Sequence, residues 1–391
     1  MKRLKVAFVL VSLLISIGFQ DFCQVKGETG DVNFTIRMSV TYSNNGTRKW
    51  NFTEDEQSVS LFMNTTWQSV QLVNHTYPPK SLENDTDGNP IAILQFKSEL
   101  NPKENLSYTV TYHVLSKPRT LPSISEEESQ TLNRIPPDLK ERYTKAEGPW
   151  LTNQTELQNL AYNITGNESK VLTIVKNFAA WIANESNIRY EIHDVPLYPN
   201  ETLKLKEGDC DDKAILLVTL CRIYGIPSYL QVGCIYDPTT PFLNETYWQG
   251  YVTVISKRIS WHGWAIVYIP PWGWLPVDLT YVLGDTSDPL NRIKRAAVTW
   301  QWVIQYMNFT TSDYVASSRK KRDFLQQNGF YIYEEDEMTL NQHLDILWQQ
   351  IIETLKWLFI VGIVAGAATC VSIAIFVHIG KTRKKGLKEV S

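Results

Sequence analysis

The sequence predicts an α+β protein in which an antiparallel β-sandwich precedes a mixed core of helices and strands, with a single transmembrane helix near the C-terminus. Three observations support this fold class. Apolar and polar residues alternate through the first third of the chain, a long apolar helix leads into several strands in the middle, and an uncharged apolar segment lies close to the end. The 391 residues suffice for two domains.

The composition narrows the functional classes. The net charge is −3, and the residues between the two apolar ends contain no long basic stripe, so nucleic-acid binding has no support. Five cysteines are too few to build a scaffold from disulfides. The core must therefore be held by the packing of apolar side chains, among them thirteen tryptophans.

Residues 1–26 are predicted to be a signal peptide or a signal anchor. The basic start MKRLK precedes an apolar stretch, Val6 to Phe19, which is short for a bilayer crossing and typical of a secretory signal. Since the sequence at 16–18 is only a weak cleavage site, cleavage and retention are both open. Either outcome leaves residues from about 27 to 356 outside the membrane.

Residues 357–379 are predicted to be a transmembrane helix, because they contain no charged residue and are long enough to span a bilayer. The tail that follows, residues 380–391, includes KTRKKGLK with five cations in eight residues. Positive charge marks the cytoplasmic side of a membrane helix. The sequence therefore predicts a single-pass protein of the cell membrane, with a cytoplasmic C-terminus and most of the chain extracytoplasmic.

Fourteen N-x-[ST] sequons, none with proline in the middle, lie between the two apolar ends. They are at Asn33, Asn45, Asn51, Asn64, Asn74, Asn84, Asn105, Asn153, Asn163, Asn167, Asn184, Asn200, Asn244 and Asn308. This number is typical of a glycosylated protein of the secretory route, although loops rich in Asn, Ser and Thr would also produce some sequons. We expect a glycosylated surface protein.

Residues 27–117 are predicted to form the β-sandwich domain, because four segments alternate apolar and polar residues between polar turns. The segments are 33–40, 58–63, 92–96 and 107–114. Nothing in this domain has catalytic character. Residues 118–159 are interpreted as a linker and helical lead-in, since they begin with prolines and an acidic run.

Residues 160–290 are predicted to form the α+β core. Apolar residues at helical spacing indicate a helix over 168–184, and an apolar run after Cys210 indicates a buried helix that ends at Gly225 and Pro227. Strands are predicted to follow, at 228–236, 250–256, 261–269 and 274–280. A helix followed by a run of strands is typical of an α+β domain.

Residues 291–356 are interpreted as an extension and juxtamembrane stalk, with apolar residues at helical spacing over 340–356. The basic run at 319–322 resembles a processing site, but we favour a solvated loop. Cys221 and Cys234 lie in the core region. A disulfide between them and two reduced core thiols are equally compatible with the sequence.

Cys210, His262 and Asp278 follow one another in an order suited to a thiol-based acyl-transfer site. At the first turn of a helix, free N–H groups and the helix dipole favour the thiolate of Cys210. The acids at 209, 211 and 212 oppose this, because their charges raise the pKa of the thiol. His262 must therefore supply much of the stabilisation, and a turn at 270–273 would bring Asp278 beside it to fix its tautomer.

Each of these residues alone has an ordinary structural interpretation, and the three together favour a catalytic site. Their surroundings resemble the transglutaminase-like superfamily, a papain-related cysteine fold, which carries G-x-C before a helix ending in R-x-x-G-I-P, then H-x-W, then W-x-x-x-D-x-T. The matching residues are Gly208, Cys210, Arg222, Gly225, Ile226, Pro227, His262, Trp264, Trp274, Asp278 and Thr280. The resemblance implies that Cys210 is the nucleophile, His262 the general base and acid, and Asp278 the orienting residue. One departure is Gly263, where the family often has a small side chain.

We expect a membrane-anchored, extracytoplasmic enzyme that acts on peptide or protein amides through a Cys210 thioacyl intermediate. The resemblance favours hydrolysis over cross-linking. No cofactor is expected, and a requirement for a metal is left open. The expected partners are a peptide or protein substrate and the membrane, through the C-terminal helix, and not nucleic acid. The alternative is a non-catalytic glycosylated cell-surface binding protein that uses a degenerate transglutaminase-like domain.

Overall fold

The computed structural model describes residues 30–120 and 123–341. The predicted signal segment, transmembrane helix and cytoplasmic tail lie outside these residues, as does nearly all of the predicted stalk helix. In the part of the chain that is described, no helix is both long and apolar enough to span a bilayer. The described residues up to Thr339 belong to one compact unit.

The described residues combine strands and helices, which confirms the predicted α+β class. The strands are β1 (Val32–Asn44), β2 (Trp50–Asn51), β3 (Ser58–Ser60), β4 (Gln68–His75), β5 (Pro79–Asn84), β6 (Pro90–Leu94), β7 (Glu99–Leu100), β8 (Asn105–Ser116), β9 (Arg189–Tyr190), β10 (Glu207–Gly208), β11 (Ser228–Tyr236), β12 (Leu243–Tyr247), β13 (Val252–Lys257), β14 (Ile259–Ile269), β15 (Gly273–Val277), β16 (Val303–Phe309) and β17 (Phe330–Leu340). The α-helices are α1 (Glu54–Gln57), α2 (Pro137–Tyr143), α3 (Thr155–Thr165), α4 (Val171–Ala183), α5 (Pro199–Leu205), α6 (Cys210–Ile223), α7 (Asn291–Lys294) and α8 (Tyr314–Asn328).

Most elements predicted from periodicity are present. The four segments predicted as strands in the N-terminal region overlap β1, β3, β6 and β8, so this region is β-rich. The predicted helix over 168–184 is α4, and the helix that begins at Cys210 is α6. The four strands predicted after it correspond to β11, β13, β14 and β15.

A six-stranded sheet joins the two ends of the described chain, in the order β12-β13-β17-β1-β8-β4. Strands β1 and β8 pair antiparallel from Val32 opposite Ser116 to Ser43 opposite Asn105, whereas β13 and β17 run parallel. Burial alternates along β1, with Phe34 buried beside exposed Asn33, as expected for a strand with one face on the core. The sheet crosses the domain boundary predicted at residue 117.

A second sheet, β15-β14-β11-β16, carries α6 on one face. Helix α6 is buried almost all round, as its apolar sequence predicts. Arg222, in the last turn of the helix, is a buried cation. It donates hydrogen bonds to the carbonyls of Ser228 and Thr310 at 2.8 Å and 2.9 Å, and these acceptors compensate its charge. Strand β16 comes from the predicted extension and completes this sheet.

The basic run at 319–322 lies within α8, so the predicted solvated loop is wrong. The helix begins after Asp313, whose side chain accepts a hydrogen bond from the N–H of Ala316 at 2.8 Å, and ends at Gly329 in the left-handed conformation. The first cation of the run, Arg319, pairs with Glu201 of α5. The ion pair with Glu201 and the caps at Asp313 and Gly329 stabilise residues 314–328 as a helix, although the charged composition of the segment did not indicate one.

Asp336, on β17, is a buried carboxyl that links the two sheets. It is 3% exposed, and its Oδ2 accepts a hydrogen bond from Nε1 of Trp261, on β14, at 2.8 Å. Burial, followed by the charges of Glu334 and Glu335, raises the pKa of this carboxyl to about 7. Because the pKa is raised in the folded state, the stability that it contributes is present at acidic pH and is lost as the pH rises through about 7.

We expect Asp336→Asn to reduce the loss of thermal stability between about pH 5 and about pH 8. Asparagine keeps an oxygen for Trp261 and carries no charge that burial would penalise. Calorimetric Tm values of the wild type and the variant at both pH values test this, with Asp138→Asn, on the exposed surface, as the control. An equal fall in Tm for the wild type and Asp336→Asn would contradict the assignment.

Candidate active site

Cys210 is the first residue of α6, directly after the N-cap residue Asp209, which confirms the prediction for its position. Asp212 closes the turn, because its Oδ2 accepts a hydrogen bond from the backbone N–H of Asp209 at 3.3 Å. Gly208 fits here for a steric reason, since a Cβ at that position would lie 2.7 Å from Cβ of Asp212. The turn thus places the carboxyl groups of Asp209 and Asp211 next to the thiol.

His262 and Asp278 are brought together by the hairpin of β14 and β15. The pairing runs from Ile269 opposite Gly273 to Ala265 opposite Val277, so Asp278 follows at the end of β15. Nε2 of His262 lies 2.8 Å from Oδ2 of Asp278, and both side chains are buried. The sequence did not determine the register of this hairpin. In the structure, the register places the carboxylate of Asp278 beside the imidazole of His262.

Backbone N–H groups hold Asp278 in this position. Its Oδ1 accepts hydrogen bonds from Thr280 and Tyr281 at 3.1 Å and 2.9 Å. Its Oδ2 accepts a longer one from Ala297 at 3.3 Å. With three backbone donors around it, the carboxylate of Asp278 is oriented toward His262 before any substrate binds.

Gly263 links the strand of His262 to the thiol. Its backbone N–H donates a hydrogen bond to the sulfur of Cys210, so the thiol lies against β14 next to His262. A Cβ at residue 263 would come within 3.2 Å of Cβ and 3.4 Å of Cα of Asp211. The glycine that departs from the family pattern is therefore explained by the close approach of β14 to the first turn of α6.

The surroundings of Cys210 oppose the thiolate. Burial raises the pKa of the thiol well above its ordinary value, and the charges of Asp211 and Asp209 raise it further. The hydrogen bond from Gly263 lowers it but does not offset these effects. The predicted influence of Asp209 and Asp211 on the thiol is thus confirmed, and the raised pKa favours the neutral thiol over the thiolate.

Asp209 and Asp211 form an acid pair beside the sulfur. One carboxylate oxygen of each and the sulfur of Cys210 lie within 4.8 Å of one another. Burial and the hydrogen bond with Asp211 raise the pKa of Asp209 to about 10, so Asp209 carries a proton at neutral pH. These three groups are near enough to share a metal ion, but a cation would have to displace that proton.

A segment between β9 and α5 covers the acidic turn. The backbone N–H of Leu197, within this segment, donates to Oδ1 of Asp212 at 2.6 Å. Burial, followed by the charges of Cys210 and Asp209, raises the pKa of Tyr190, at the end of β9, to about 12. No periodic signal marks these residues in the sequence, because their roles arise from loop contacts.

A strained turn lies against the same segment. Trp248 and Gln249 both have left-handed backbones, with φ of 54° and 60°, an arrangement that costs free energy for residues other than glycine. Nε1 of Trp248 donates to the carbonyl of Asp194 at 2.6 Å. The strain is thus balanced by a contact with the segment that covers the acidic turn, and no sequence pattern signals this turn.

The sequon asparagines are mostly at the surface. Twelve of the fourteen are exposed, and Asn200 and Asn308 are half-buried. Oδ1 of Asn308 accepts a hydrogen bond from Gln231 at 2.7 Å. Glycosylation stays a prediction for all fourteen.

Cys221 and Cys234 are free and fully buried. Of the two alternatives left open by the sequence, the structure therefore has two reduced core thiols. Burial raises the pKa of both well above the ordinary value, which makes them unreactive. Cys210 is the one described cysteine that is partly accessible.

Residues 158–279 match the sequence model of the transglutaminase-like superfamily. The chain therefore contains a transglutaminase-like domain, and this match includes Cys210, His262 and Asp278. Strands β16 and β17 and helix α8 lie beyond it. No curated protein matches the chain in sequence.

Solved structures with a related fold include a candidate cysteine protease from Cytophaga hutchinsonii, with 17% identity and a TM-score of 0.49 over 80% of this chain and 91% of that one. The periplasmic domain of TgpA from Pseudomonas aeruginosa, with ethylmercury bound, has 14% identity and a TM-score of 0.33, over 68% of this chain and 92% of that one. Red sea bream transglutaminase has 9% identity and a TM-score of 0.28, over 67% of this chain and 49% of that one.

We expect Asp211→Asn to make Cys210 more reactive toward iodoacetamide at neutral pH, by about three- to tenfold, because removing a nearby negative charge lowers the pKa of the thiol. The measurement is the alkylation rate across pH, with Glu191→Gln, an exposed acid, as the control. A rate profile for Asp211→Asn that coincides with that of the wild type would contradict the electrostatic assignment.

Proposed function

We propose that this chain is a membrane-anchored, extracytoplasmic enzyme that attacks peptide or protein amides through Cys210, with hydrolysis favoured over cross-linking. One observation carries the proposal. A buried imidazole bound to a buried carboxylate at 2.8 Å lies next to the residue whose N–H donates to the thiol. Nucleophile, base and orienting acid in this arrangement are the parts of a thiol acyl-transfer site.

The proposed mechanism has the following proton path, which the contact between His262 and Asp278 supports. Asp278 accepts the proton of Nε2 of His262, which leaves Nδ1 with a lone pair for the thiol. As the sulfur attacks the amide carbon, Nδ1 takes the thiol proton, and the imidazolium is stabilised by Asp278. The imidazolium then gives this proton to the leaving amine, and the acyl group stays on the sulfur as a thioester.

Water completes the hydrolytic cycle. His262 removes a proton from water as its oxygen attacks the thioester carbon, and returns the proton to the departing sulfur. An amine in place of water would give a new amide. The N–H groups of the first turn of α6 are suited to binding the oxyanion that forms in both steps.

The neutral thiol makes His262 indispensable in this mechanism. With the pKa of Cys210 raised by burial and by Asp211 and Asp209, a resting thiolate contributes little, so proton transfer must accompany attack. The raised pKa of the thiol is also compatible with the alternative, a surface binding protein with a degenerate domain. Such a protein would not need a reactive cysteine. Reactivity that depends on His262 separates the two.

The function is tested by alkylating the purified full-length chain with iodoacetamide across pH. We expect the wild type to react at Cys210, Cys210→Ser to give the background of the other cysteines, and His262→Ala to slow the reaction by about 10²-fold, the usual contribution of a general base. Asp278→Asn should slow it less, because the imidazole remains. If the loss of His262 leaves the rate at Cys210 unchanged, the enzyme proposal fails and the binder is favoured.

The location outside the membrane is proposed from the sequons and the two apolar ends. In a chain made by a eukaryotic secretory host, we expect glycans at the exposed asparagines and none at Asn308. A glycan there would disturb the hydrogen bonds of its side chain and backbone to Gln231 and Asn89. Peptide mass spectrometry after glycan release in heavy-oxygen water measures the occupancy of each site. Unmodified asparagine at all fourteen sequons would contradict the extracytoplasmic location.

A further inference from the structure

The two terminal strands of the six-stranded sheet share one feature. Among the described residues, β12 pairs only with β13, and β4 pairs only with β8. Each terminal strand contains a sequon asparagine that is exposed, Asn244 in β12 and Asn74 in β4. In both strands, the residue directly before this asparagine is a large apolar side chain in contact with solvent. Leu243 is 40% exposed and Val73 is 39% exposed.

The outer side of a terminal strand carries backbone N–H and C=O groups that can pair with a strand of another molecule. Proteins usually prevent such pairing with charged side chains, proline or a covering element. Strand β4 contains no Asp, Glu, Lys, Arg or Pro, and β12 contains one charged residue, Glu245. A register shift between Leu72 and Asn74 disturbs the ladder of β4 only near its end. Both edges therefore have little protection from their own side chains.

Exposed apolar side chains strengthen the tendency of these edges to associate. Phe242, which precedes Leu243, is 56% exposed. The terminal strand β5 of the three-stranded sheet repeats the arrangement, because Leu82 is 68% exposed and lies two residues before the sequon at Asn84. Apolar side chains on an open strand edge promote association between molecules. Each of these side chains lies within two residues of a site at which an oligosaccharide can be attached.

The sequon at Asn33 provides the contrast within the same sheet. It lies in β1, an interior strand between β17 and β8. Its neighbours Val32 and Phe34 are 1% and 0% exposed, although Asn33 itself is exposed. A glycan at Asn33 would therefore cover neither a terminal strand nor an exposed apolar neighbour.

We propose that oligosaccharides at Asn74 and Asn244 cover the two terminal strands of the six-stranded sheet and prevent these strands from pairing with a second copy of this chain. This role rests on the extracytoplasmic location in the proposed function, because the sequons are modified on the secretory route. An oligosaccharide is bulky and hydrophilic. It keeps the edge solvated and excludes a second strand, which would have to approach to about 4.8 Å.

Loss of the glycan at Asn244 tests this role. The full-length chain is made in a eukaryotic secretory host and purified in detergent micelles, and sedimentation velocity at several concentrations measures its self-association. We expect Asn244→Gln and Thr246→Ala, which both remove the sequon, to lower the Kd of self-association by about tenfold, as burial of the edge and its apolar side chains would. Thr246→Ser keeps the sequon, and Asn33→Gln removes a glycan from an interior strand. Both controls should equal the wild type.

Two further variants locate the contact at the strand edges. In the Asn244→Gln background, Leu243→Lys places a charge on β12 and should restore the wild-type Kd. Asn74→Gln should promote self-association through β4. The variant that combines Asn74→Gln with Asn244→Gln should form assemblies larger than dimers, because each molecule then has two open edges.

Peptide mass spectrometry of the same samples completes the test. The proposal is overturned if Asn74→Gln and Asn244→Gln associate no more than Asn33→Gln, or if Leu243→Lys does not reverse the association. It is also overturned if glycans are found at other sequons but at neither Asn74 nor Asn244, an outcome that leaves the extracytoplasmic location intact. An absence of glycans at all fourteen sequons contradicts both the location and this role.

Discussion

Three carboxyl groups and one thiol share a single turn at the start of α6, and the rest of the site responds to this concentration of acid. Charges of one sign repel, so the turn is stable only if protons and hydrogen-bond donors compensate them. Asp209 keeps a proton, with its pKa raised to about 10. Burial and the charge of Asp211 raise the pKa of Asp212 to about 8, and its carboxyl group accepts two backbone N–H groups, from Leu197 and Asp209. Asp211 places a carboxyl oxygen within 4.8 Å of the sulfur.

The donors come from parts of the chain that are distant in sequence. Leu197 belongs to the segment between β9 and α5, and Gly263 belongs to β14. The site is therefore complete only when this segment and β14 both pack on the first turn of α6.

Local patterns in the sequence were enough to predict the elements that carry the three site residues. The apolar run after Cys210 and the alternating strand of His262 have periodicities that any buried helix or strand must show. The partners of those residues leave no such trace. The close approach at Gly263 depends on the packing of α6 on β14, and the register that joins His262 to Asp278 depends on the turn. Each is fixed by tertiary contacts.

Cys210 is expected to be a neutral thiol at rest and to become nucleophilic by giving its proton to His262 during attack. The decisive measurement is the ultraviolet absorbance of thiolate, taken as the difference between the wild type and Cys210→Ser over a pH titration. We expect no thiolate signal from Cys210 at neutral pH, with the signal appearing only above the ordinary pKa of a cysteine. A thiolate signal that is already complete at neutral pH would overturn this mechanism, since it would show a preformed ion pair.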